Sequence, residues 1–177
     1  MGVTIIWDHQ VPAGLRLPVG RRIETVLRLP VTLVDADVLI NGFHPERNQY
    51  DAAAILDRVL FMKGRMGCRG PVLLVVTHDL YAGGCDFVFG LARPQTGCAV
   101  ISIARLDNAF YRRADDFDDL ADRAGKEGAH EIGHLLGLEH CTNPECVMFK
   151  PATLAELDRK KLTLCPSCRA ALAAVFR

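Results

Sequence analysis

The hydrophobic positions of the chain form two kinds of pattern up to about residue 137. Short apolar runs predict strands at residues 3–7, 31–35, 71–77, 87–91 and 98–103. Longer segments with apolar residues three and four positions apart predict helices at residues 21–28, 48–62 and 115–136. The run at residues 71–77 is continuous, which is typical of a central strand covered on both faces. Strands and helices that alternate in this way indicate an α/β fold.

After residue 137 no further strand-like run follows. Gly137 suits the end of the third helix, because glycine readily adopts the left-handed backbone conformation. Thr153 and Glu156 form a capping box that predicts another helix, and Pro166 suits the first turn of a last one. We therefore expect one domain, residues 1–177. Its α/β upper part would span residues 1–138, and a small, loop-rich helical lower part would span residues 139–177.

The composition is that of an ordinary globular chain, with 50% hydrophobic and 24% charged residues among 177. The 21 basic and 21 acidic residues cancel, so no broad cationic surface is available for nucleic acid. No stretch approaches the roughly 20 apolar residues of a membrane-spanning helix, and the first residues lack the cationic segment of a secretion signal. We expect a cytoplasmic monomer that binds neither nucleic acid nor membrane.

Three of the six histidines fall between residues 130 and 140. His130 and His134 are one helical turn apart, about 40° around the axis and about 6 Å along it, so both rings can reach one ion. Gly137 can end the helix and return the chain, which brings His140 towards the same ion. Three protein ligands with an open fourth position are typical of a catalytic zinc site.

Glu131 follows the first of these histidines directly. This position places a carboxylate where it can take a proton from a zinc-bound water and later deliver it to a leaving amine. The hypothesis is peptide-bond hydrolysis, in which zinc lowers the pKa of the water towards about 7 and Glu131 is the general base. The alternative is a chance set of histidines on an amphipathic helix, which the glycine and third histidine in register disfavour. We expect His9, His44 and His78 to be surface or core residues.

Four of the seven cysteines form two close pairs, Cys141 with Cys146 and Cys165 with Cys168. Two such pairs separated by a spacer are the usual sequence form of a structural zinc site, whose four thiolates close the coordination sphere. A zinc ion there would clip the last helix to the turn after His140, where the chain is too short to supply a large core. The alternatives are a redox pair at Cys165 and Cys168, and inert buried thiols.

The redox interpretation lacks the strand-to-helix unit that surrounds such a pair in thioredoxin-like proteins. A helix that starts at Pro166 would aim backbone N–H groups at Cys168 and favour its thiolate. Cys68, Cys85 and Cys98 are left over, and each is expected to be a small buried hydrophobic residue.

The two sets of candidate ligands adjoin, since Cys141 follows His140 and seven residues separate His140 from Met148. The pattern of three histidines, Cys-x4-Cys-x-Met and a later Cys-x-x-Cys resembles the archaemetzincins, a branch of the metzincin peptidases. Weaker similarities cover most of the chain, at residues 47–50, 79–81, 87–90, 99–102 and 105–106.

The resemblance implies zinc metallopeptidase activity in a compact domain with a twisted, mostly parallel five-stranded sheet, two long helices and a short lower subdomain. It implies two zinc ions per chain, one catalytic and one structural, with the catalytic ion in a cleft between the two parts. Met148 would lie in a turn beneath that ion, although a simple core methionine fits the sequence equally well. No tyrosine follows Met148, so the fifth, tyrosine ligand of some metzincins is absent.

Two functions from different classes remain open. The first is a zinc metallopeptidase that takes an extended peptide or protein substrate against a sheet edge, with the strand predicted at residues 87–91 as the candidate edge. The second is a non-catalytic two-zinc binding module, since an intact motif does not show that a cleft is open.

Overall fold

Strands and helices alternate along residues 2–176, the part of the chain that a computed structural model describes. In chain order the strands are β1 (Val3–Asp8), β2 (Val31–Ala36), β3 (Phe43–His44), β4 (Gln49–Asp51), β5 (Val72–Val76), β6 (Leu80–Tyr81), β7 (Gly90–Arg93) and β8 (Cys98–Ser102). The helices are α1 (Arg16–Leu27), α2 (Ala52–Arg65), α3 (Phe117–Leu135), α4 (Leu154–Arg159) and α5 (Pro166–Val175).

Five strands form the main sheet, in the order β2-β1-β5-β8-β7. The first four are parallel, and β7 pairs antiparallel with β8 at one edge. A second, small sheet joins β3, β4 and β6. The predicted α/β fold with a mostly parallel five-stranded sheet is therefore confirmed.

The strand β5 lies at the centre of the main sheet, and all of its residues are buried. Successive side chains of a strand point to opposite faces. Leu73 and Val75 accordingly join the apolar cluster under α1 and α3, whereas Leu74 and Val76 join the cluster under α2. Helices thus cover both faces, which explains the continuous apolar sequence of β5.

Both early helices begin at residues other than those predicted. α1 begins at Arg16 instead of residue 21, because Pro18 falls in the first turn, where proline removes no helical hydrogen bond. α2 begins at Ala52 instead of residue 48. The Asp51 side chain caps it by accepting a hydrogen bond from the Ala53 N–H, and the three residues before the helix pair in the small sheet.

The edge strand β7 lies at residues 90–93, about three positions after the predicted strand at 87–91. The segment before it is drawn towards the small sheet instead. The Val88 N–H donates to the Leu80 carbonyl at 3.0 Å, and these two residues form an isolated antiparallel bridge. The apolar pattern indicated the right region but not the point where pairing with β8 begins.

The long helix α3 carries the predicted signals at both ends. Asp116 accepts a hydrogen bond from the Asp119 N–H and caps the first turn. Gly137, with a φ of +87°, turns the chain just after the last turn, and the Leu138 N–H donates to the Gly133 carbonyl. The predicted end of this helix at Gly137 is confirmed.

The chain from residue 139 to residue 176 contains two short helices and, apart from a single bridge, no strand. Thr153 caps α4 by accepting a hydrogen bond from the Glu156 N–H, and α5 begins at Pro166, so both predicted helix starts are confirmed. Within residues 2–176 no helix combines the length and the apolar character needed to cross a membrane.

Candidate active site

The turn at Gly137 brings His140 back to the two histidines of α3. Ring centroids lie 4.6 Å apart for His130 and His134, 4.6 Å for His134 and His140, and 5.3 Å for His130 and His140. One nitrogen of each ring lies within 4.8 Å of a nitrogen of the other two. The structure therefore brings together the three histidines that the sequence singles out.

Hydrogen bonds fix which nitrogen of the two helical histidines carries the proton. Nδ1 of His130 lies 2.9 Å from the carbonyl oxygen of Val147, and Nδ1 of His134 lies 2.8 Å from that of Leu138. Because a carbonyl oxygen only accepts, both Nδ1 atoms donate and both Nε2 atoms keep a lone pair. The two Nε2 atoms face each other at 3.1 Å, where neither has a hydrogen to give.

Two facing lone pairs repel each other unless a cation lies between them. Nitrogens about 2.05 Å from one tetrahedral zinc ion are roughly 3.3 Å apart, close to the separation of the two Nε2 atoms. His140 offers a third nitrogen, and all three histidines line an open cleft. The arrangement fits a zinc ion that keeps one coordination position free.

Burial favours the neutral form of these imidazoles. It lowers the pKa of His130 well below the usual 6.5, and it also lowers the pKa of His134 and of His140. The positive charge of Lys160 lowers all three pKa values further. Neutral imidazole is the form that binds a metal, so the histidines are available as ligands at neutral pH.

Met148 packs against α3 at Gly133, next to His134. The methionine is fully buried, and its carbonyl accepts a hydrogen bond from the Cys141 N–H at 2.9 Å. A Cβ atom added to Gly133 would lie 2.5 Å from the Met148 sulfur, so the glycine is what allows this close approach. Met148 is therefore a core residue that contacts α3 at the position directly before His134.

Replacing Gly133 with alanine is expected to destabilise the protein by about 1–3 kcal/mol, because the added methyl group overpacks the contact with Met148. Urea unfolding measures the change. Gly64→Ala is the matched control: its added Cβ in α2 has no neighbour within 4 Å, and it should stabilise by about 0.5–1 kcal/mol. Similar unfolding midpoints for the two variants would contradict the tight contact.

Glu131 occupies the space between α3 and the edge strand β7. A Cβ atom at Gly90 would lie 2.8 Å from the Glu131 Cγ and 2.9 Å from its Oε1, so a larger residue at position 90 would displace the carboxyl. Burial raises the pKa of Glu131 well above 4.5, and the adjacent Glu127 raises it further, whereas Lys160 lowers it. A raised pKa suits a group that takes up and releases a proton near neutral pH.

The two cysteine pairs form a cluster on the other side of Met148. The sulfur atoms of Cys141, Cys146, Cys165 and Cys168 lie within 4.8 Å of one another, and those of Cys141 and Cys165 are 3.7 Å apart. Sulfurs about 2.3 Å from one tetrahedral zinc ion are roughly 3.8 Å apart, so the spacing fits. All seven cysteines are free thiols, and the four could hold a metal that ties the loop after α3 to the start of α5.

The prediction that the start of α5 favours the Cys168 thiolate is wrong. Hydrogen bonds from the Ser167 hydroxyl and the Cys168 N–H lower the pKa of Cys165 to about 6, because Cys165 is the residue that precedes the first turn. Burial instead raises the pKa of Cys168.

Comparison with known proteins places this site in a family. The sequence profile of Peptidase family M54 matches residues 13–174. The chain belongs to peptidase family M54. An archaemetzincin from Pyrococcus horikoshii is 40% identical to it over 127 residues, 72% of this chain and 67% of that protein. One from Halobacterium salinarum is 35% identical over 176 residues, 96% and 98% of the two chains.

The fold of this chain is also similar to that of a solved structure. The crystal structure of a zinc-dependent peptidase from Methanocorpusculum labreanum is 43% identical, with a TM-score of 0.93 over 97% of this chain and 100% of that one. The resemblance to archaemetzincins is thereby confirmed. The protein is a metallopeptidase of a zinc-dependent family.

A cleft of about 1170 Å³ runs past the histidines of this M54 peptidase. Residues 82–92 and 94 form one wall, and residues 137–140 and 150–152 contribute to the other. The strand β7 borders the cleft and lies at the edge of the main sheet. The predicted edge strand therefore is an edge strand, although it begins later than the sequence suggested.

Two of the upstream segments that carry the family resemblance, residues 47–50 and 105–106, hold the rim of this cleft at residues 85–87 in place. Arg47 donates hydrogen bonds to the carbonyl oxygens of Cys85 and the next residue, at 3.1 and 2.9 Å. Arg105 donates to both carboxylate oxygens of Asp79, at 2.7 and 2.8 Å, and its guanidinium stacks 4.3 Å from the Phe87 ring centroid. Residues 85–87 are thus held by two arginines from separate parts of the chain.

The three remaining cysteines differ in burial. Cys98 is buried in β8 as predicted, and Cys68 is half-buried against the apolar cluster under α2, away from the cleft. Cys85 is exposed and lines the rim, so the prediction that it is buried is wrong. It follows the turn at Gly83 and Gly84, which carries it out of the core.

The other three histidines lie away from the site. His44 and His78 pack edge-on against the rings of Tyr81 and Tyr50, as core or surface residues do. His9 lies 3.0 Å from the exposed Asp37. The two could reach one ion together with Asp8, but both are solvent-exposed and already paired with each other.

The sequence interpretation missed two buried charged groups beside Glu131. Glu127 lies one turn earlier on α3, and Lys160 follows the last residue of α4. The spacing of four residues between Glu127 and Glu131 was a usable signal, because it places both side chains on one face of a helix. Nothing in the sequence indicated that Lys160 is buried, because lysine is rarely fully buried and is expected on the surface.

Proposed function

We propose that this M54 peptidase hydrolyses peptide bonds with one zinc ion held by His130, His134 and His140, and with Glu131 as the general base. The observation that carries the ligand set is the 3.1 Å separation of two Nε2 lone pairs, which calls for a cation. The turn at Gly137 and the buried Met148 support assignment to the metzincin type.

When bound, zinc would supply a Lewis acid that polarises the scissile carbonyl and lowers the pKa of water towards about 7. Glu131 accepts the proton that the attacking water gives up and returns it to the leaving amine. Its raised pKa, which burial causes first, allows the carboxyl to hold that proton between the two steps. The carbonyl groups of Val147 and Leu138 orient the His130 and His134 rings.

The substrate is proposed to be an extended peptide or protein segment that lies along β7. This strand has no neighbour on its outer side within the described sheet, so its free edge can pair with a substrate backbone. Gly90, which belongs to this strand, stands directly over Glu131. A peptide paired with β7 would therefore pass close to the general base.

A second zinc ion, held by Cys141, Cys146, Cys165 and Cys168, is proposed to be structural. Four thiolates leave no position for water or substrate. The chain is proposed to be a single metallopeptidase domain, residues 1–177, divided near residue 138 into upper and lower subdomains. It is further proposed to act as a cytoplasmic monomer without nucleic acid or membrane partners, an assignment that the balanced charge supports.

The test combines a metal count with a digest of a peptide library. Elemental analysis of the zinc-loaded protein should give two zinc ions per chain. The same preparation should cleave library peptides, a chelator should suppress the products, and added zinc should restore them. Cleavage that persists after the metal has been removed would contradict the proposal.

The metal count and the digest, together with a reductase assay, separate the rival functions. Two zinc ions without any cleavage would favour a non-catalytic two-zinc binding module. Thiol-dependent reductase activity in a protein that retains no metal would favour a redox pair at Cys165 and Cys168.

A further inference from the structure

Lys160 is a buried charge that the proposed reaction does not use. Its side chain is 0% exposed, and its Nζ lies 3.9 Å from the Glu127 Oε2. Within residues 2–176 neither of these two atoms has a hydrogen-bond partner. Because an isolated buried ammonium is very costly, the charge must be balanced by its surroundings. Glu127 and Glu131 are the acidic groups that attract it most strongly.

Glu127 lies next to both Lys160 and Glu131. It is one helical turn before Glu131 on the same face of α3, and both side chains are buried and line the cleft. Glu131 therefore has Glu127 beside it along the helix and Gly90 across from it. Two neighbouring buried carboxyl groups repel each other when both are ionised, so a nearby cation lowers the cost of keeping them together.

We propose that Glu127 and Lys160 are positioning residues for peptide hydrolysis: Glu127 orients the Glu131 carboxyl by a hydrogen bond, and Lys160 balances the charge of the two carboxyl groups. Both residues act through Glu131. The inference rests on the proposed function, in which Glu131 handles the proton.

Two substitutions of Glu127 test the hydrogen bond. Glu127→Ala removes it and should lower kcat by about 10- to 100-fold, the usual effect of losing a group that orients an active-site residue. Glu127→Gln keeps a side chain that can hydrogen-bond to Glu131, so it should restore most of this loss. KM should stay within about twofold for both variants, because substrate binding does not involve the contact. Zinc content should remain that of the wild type.

Lys160→Met tests the charge, with Lys126→Met as the matched control. Lys126 is also a largely buried lysine, but its Nζ pairs with Asp122 at 2.6 Å, and the residue does not line the cleft. We expect Lys160→Met to lower kcat about tenfold or more and Lys126→Met to change it less than about twofold. If the single variant fails to fold, Glu127→Gln combined with Lys160→Met removes both partners of the pair and should fold. The kcat of this double variant is then compared with that of Glu127→Gln alone, and the double variant is expected to have the lower kcat.

Wild-type kcat in Glu127→Ala or in the Lys160 variants would overturn the inference, as would an equal loss in Lys126→Met. If the wild-type protein cleaves no peptide, the proposed function fails, and crystal structures of zinc-loaded wild type, Glu127→Ala and Lys160→Met decide the positioning role. A Glu131 carboxyl that moves in these variants supports the role. An unmoved carboxyl refutes it.

Discussion

Replacing Glu131 with glutamine is expected to lower kcat for peptide cleavage by about 10²- to 10⁴-fold while the zinc content stays unchanged. Glutamine has nearly the same size and fits the same space beneath Gly90. It cannot accept the proton that an attacking water releases, so the proton-transfer step loses its base. Initial-rate kinetics with a defined peptide, together with elemental analysis of the same samples, measure both quantities.

Glu24→Gln is the matched control, because it makes the same chemical change at an exposed residue of α1. Glu24 does not line the cleft, so its variant should keep kcat within about threefold of the wild type. Undiminished cleavage by Glu131→Gln would refute the role assigned to Glu131. A loss of zinc in that variant would instead show that the carboxyl supports the metal site.

The main sheet was predictable from sequence because its inner strands are buried on both faces. β1, β5 and β8 are short, mostly apolar runs, and a parallel sheet covered by helices on both faces buries such runs. The small sheet was not predictable, since β3 and β6 contain only two residues each and a two-residue strand has no periodicity. The later start of β7 was not predictable either. Phe87 is held by stacking with Arg105 and not by strand pairing, and the apolar pattern of the sequence does not record such a contact.

The candidate site was predictable where its geometry is local. Helical periodicity places His130 and His134 on one face, and the left-handed Gly137 returns His140 to them, so eleven consecutive residues determine the arrangement. The space around Glu131 is bounded by Glu127, one turn earlier on the same helix, and by Gly90, which belongs to a separate strand. Their roles become visible only when α3 and β7 are packed together.

Lys160 was beyond the reach of sequence reasoning for a different reason. Sequence rules place lysine on the surface, and the exception requires a buried partner that lies 33 residues away in the chain. The backbone around Lys160 is fixed by the segment that contains the cysteines, since the Lys161 N–H donates to the Glu145 carbonyl at 2.8 Å. The charge beside Glu131 therefore depends on the fold of the cysteine cluster.

Replacing Cys146 with serine is expected to remove one zinc ion per chain and to lower the free energy of unfolding by as much as about 4 kcal/mol. That is the stabilisation that a bound metal supplies at a free concentration about 1,000 times its Kd. Cys146 is the buried member of the cluster, and its sulfur accepts a hydrogen bond from the Cys165 N–H at 3.3 Å. Elemental analysis and urea unfolding at a fixed free zinc concentration measure the two effects.

Cys85→Ser is the control for this substitution, because it changes an exposed cysteine outside the cluster and should alter stability by less than about 0.5 kcal/mol. Two retained zinc ions and an unchanged unfolding midpoint in Cys146→Ser would contradict the proposed structural site.

The Cys146 variant is also expected to lose activity, although it changes no residue of the histidine site. Val147 follows Cys146, its carbonyl accepts the His130 Nδ1 hydrogen bond, and its N–H donates to the Thr163 carbonyl at 2.9 Å. Loosening the cluster releases this support, and losing a group that orients a metal ligand typically costs about 10- to 100-fold in activity. Glu131→Gln should therefore lower kcat by about 10²- to 10⁴-fold with two zinc ions bound, whereas Cys146→Ser should lower activity by about 10- to 100-fold with one, because the cysteine cluster acts on the reaction through the backbone that it holds in place.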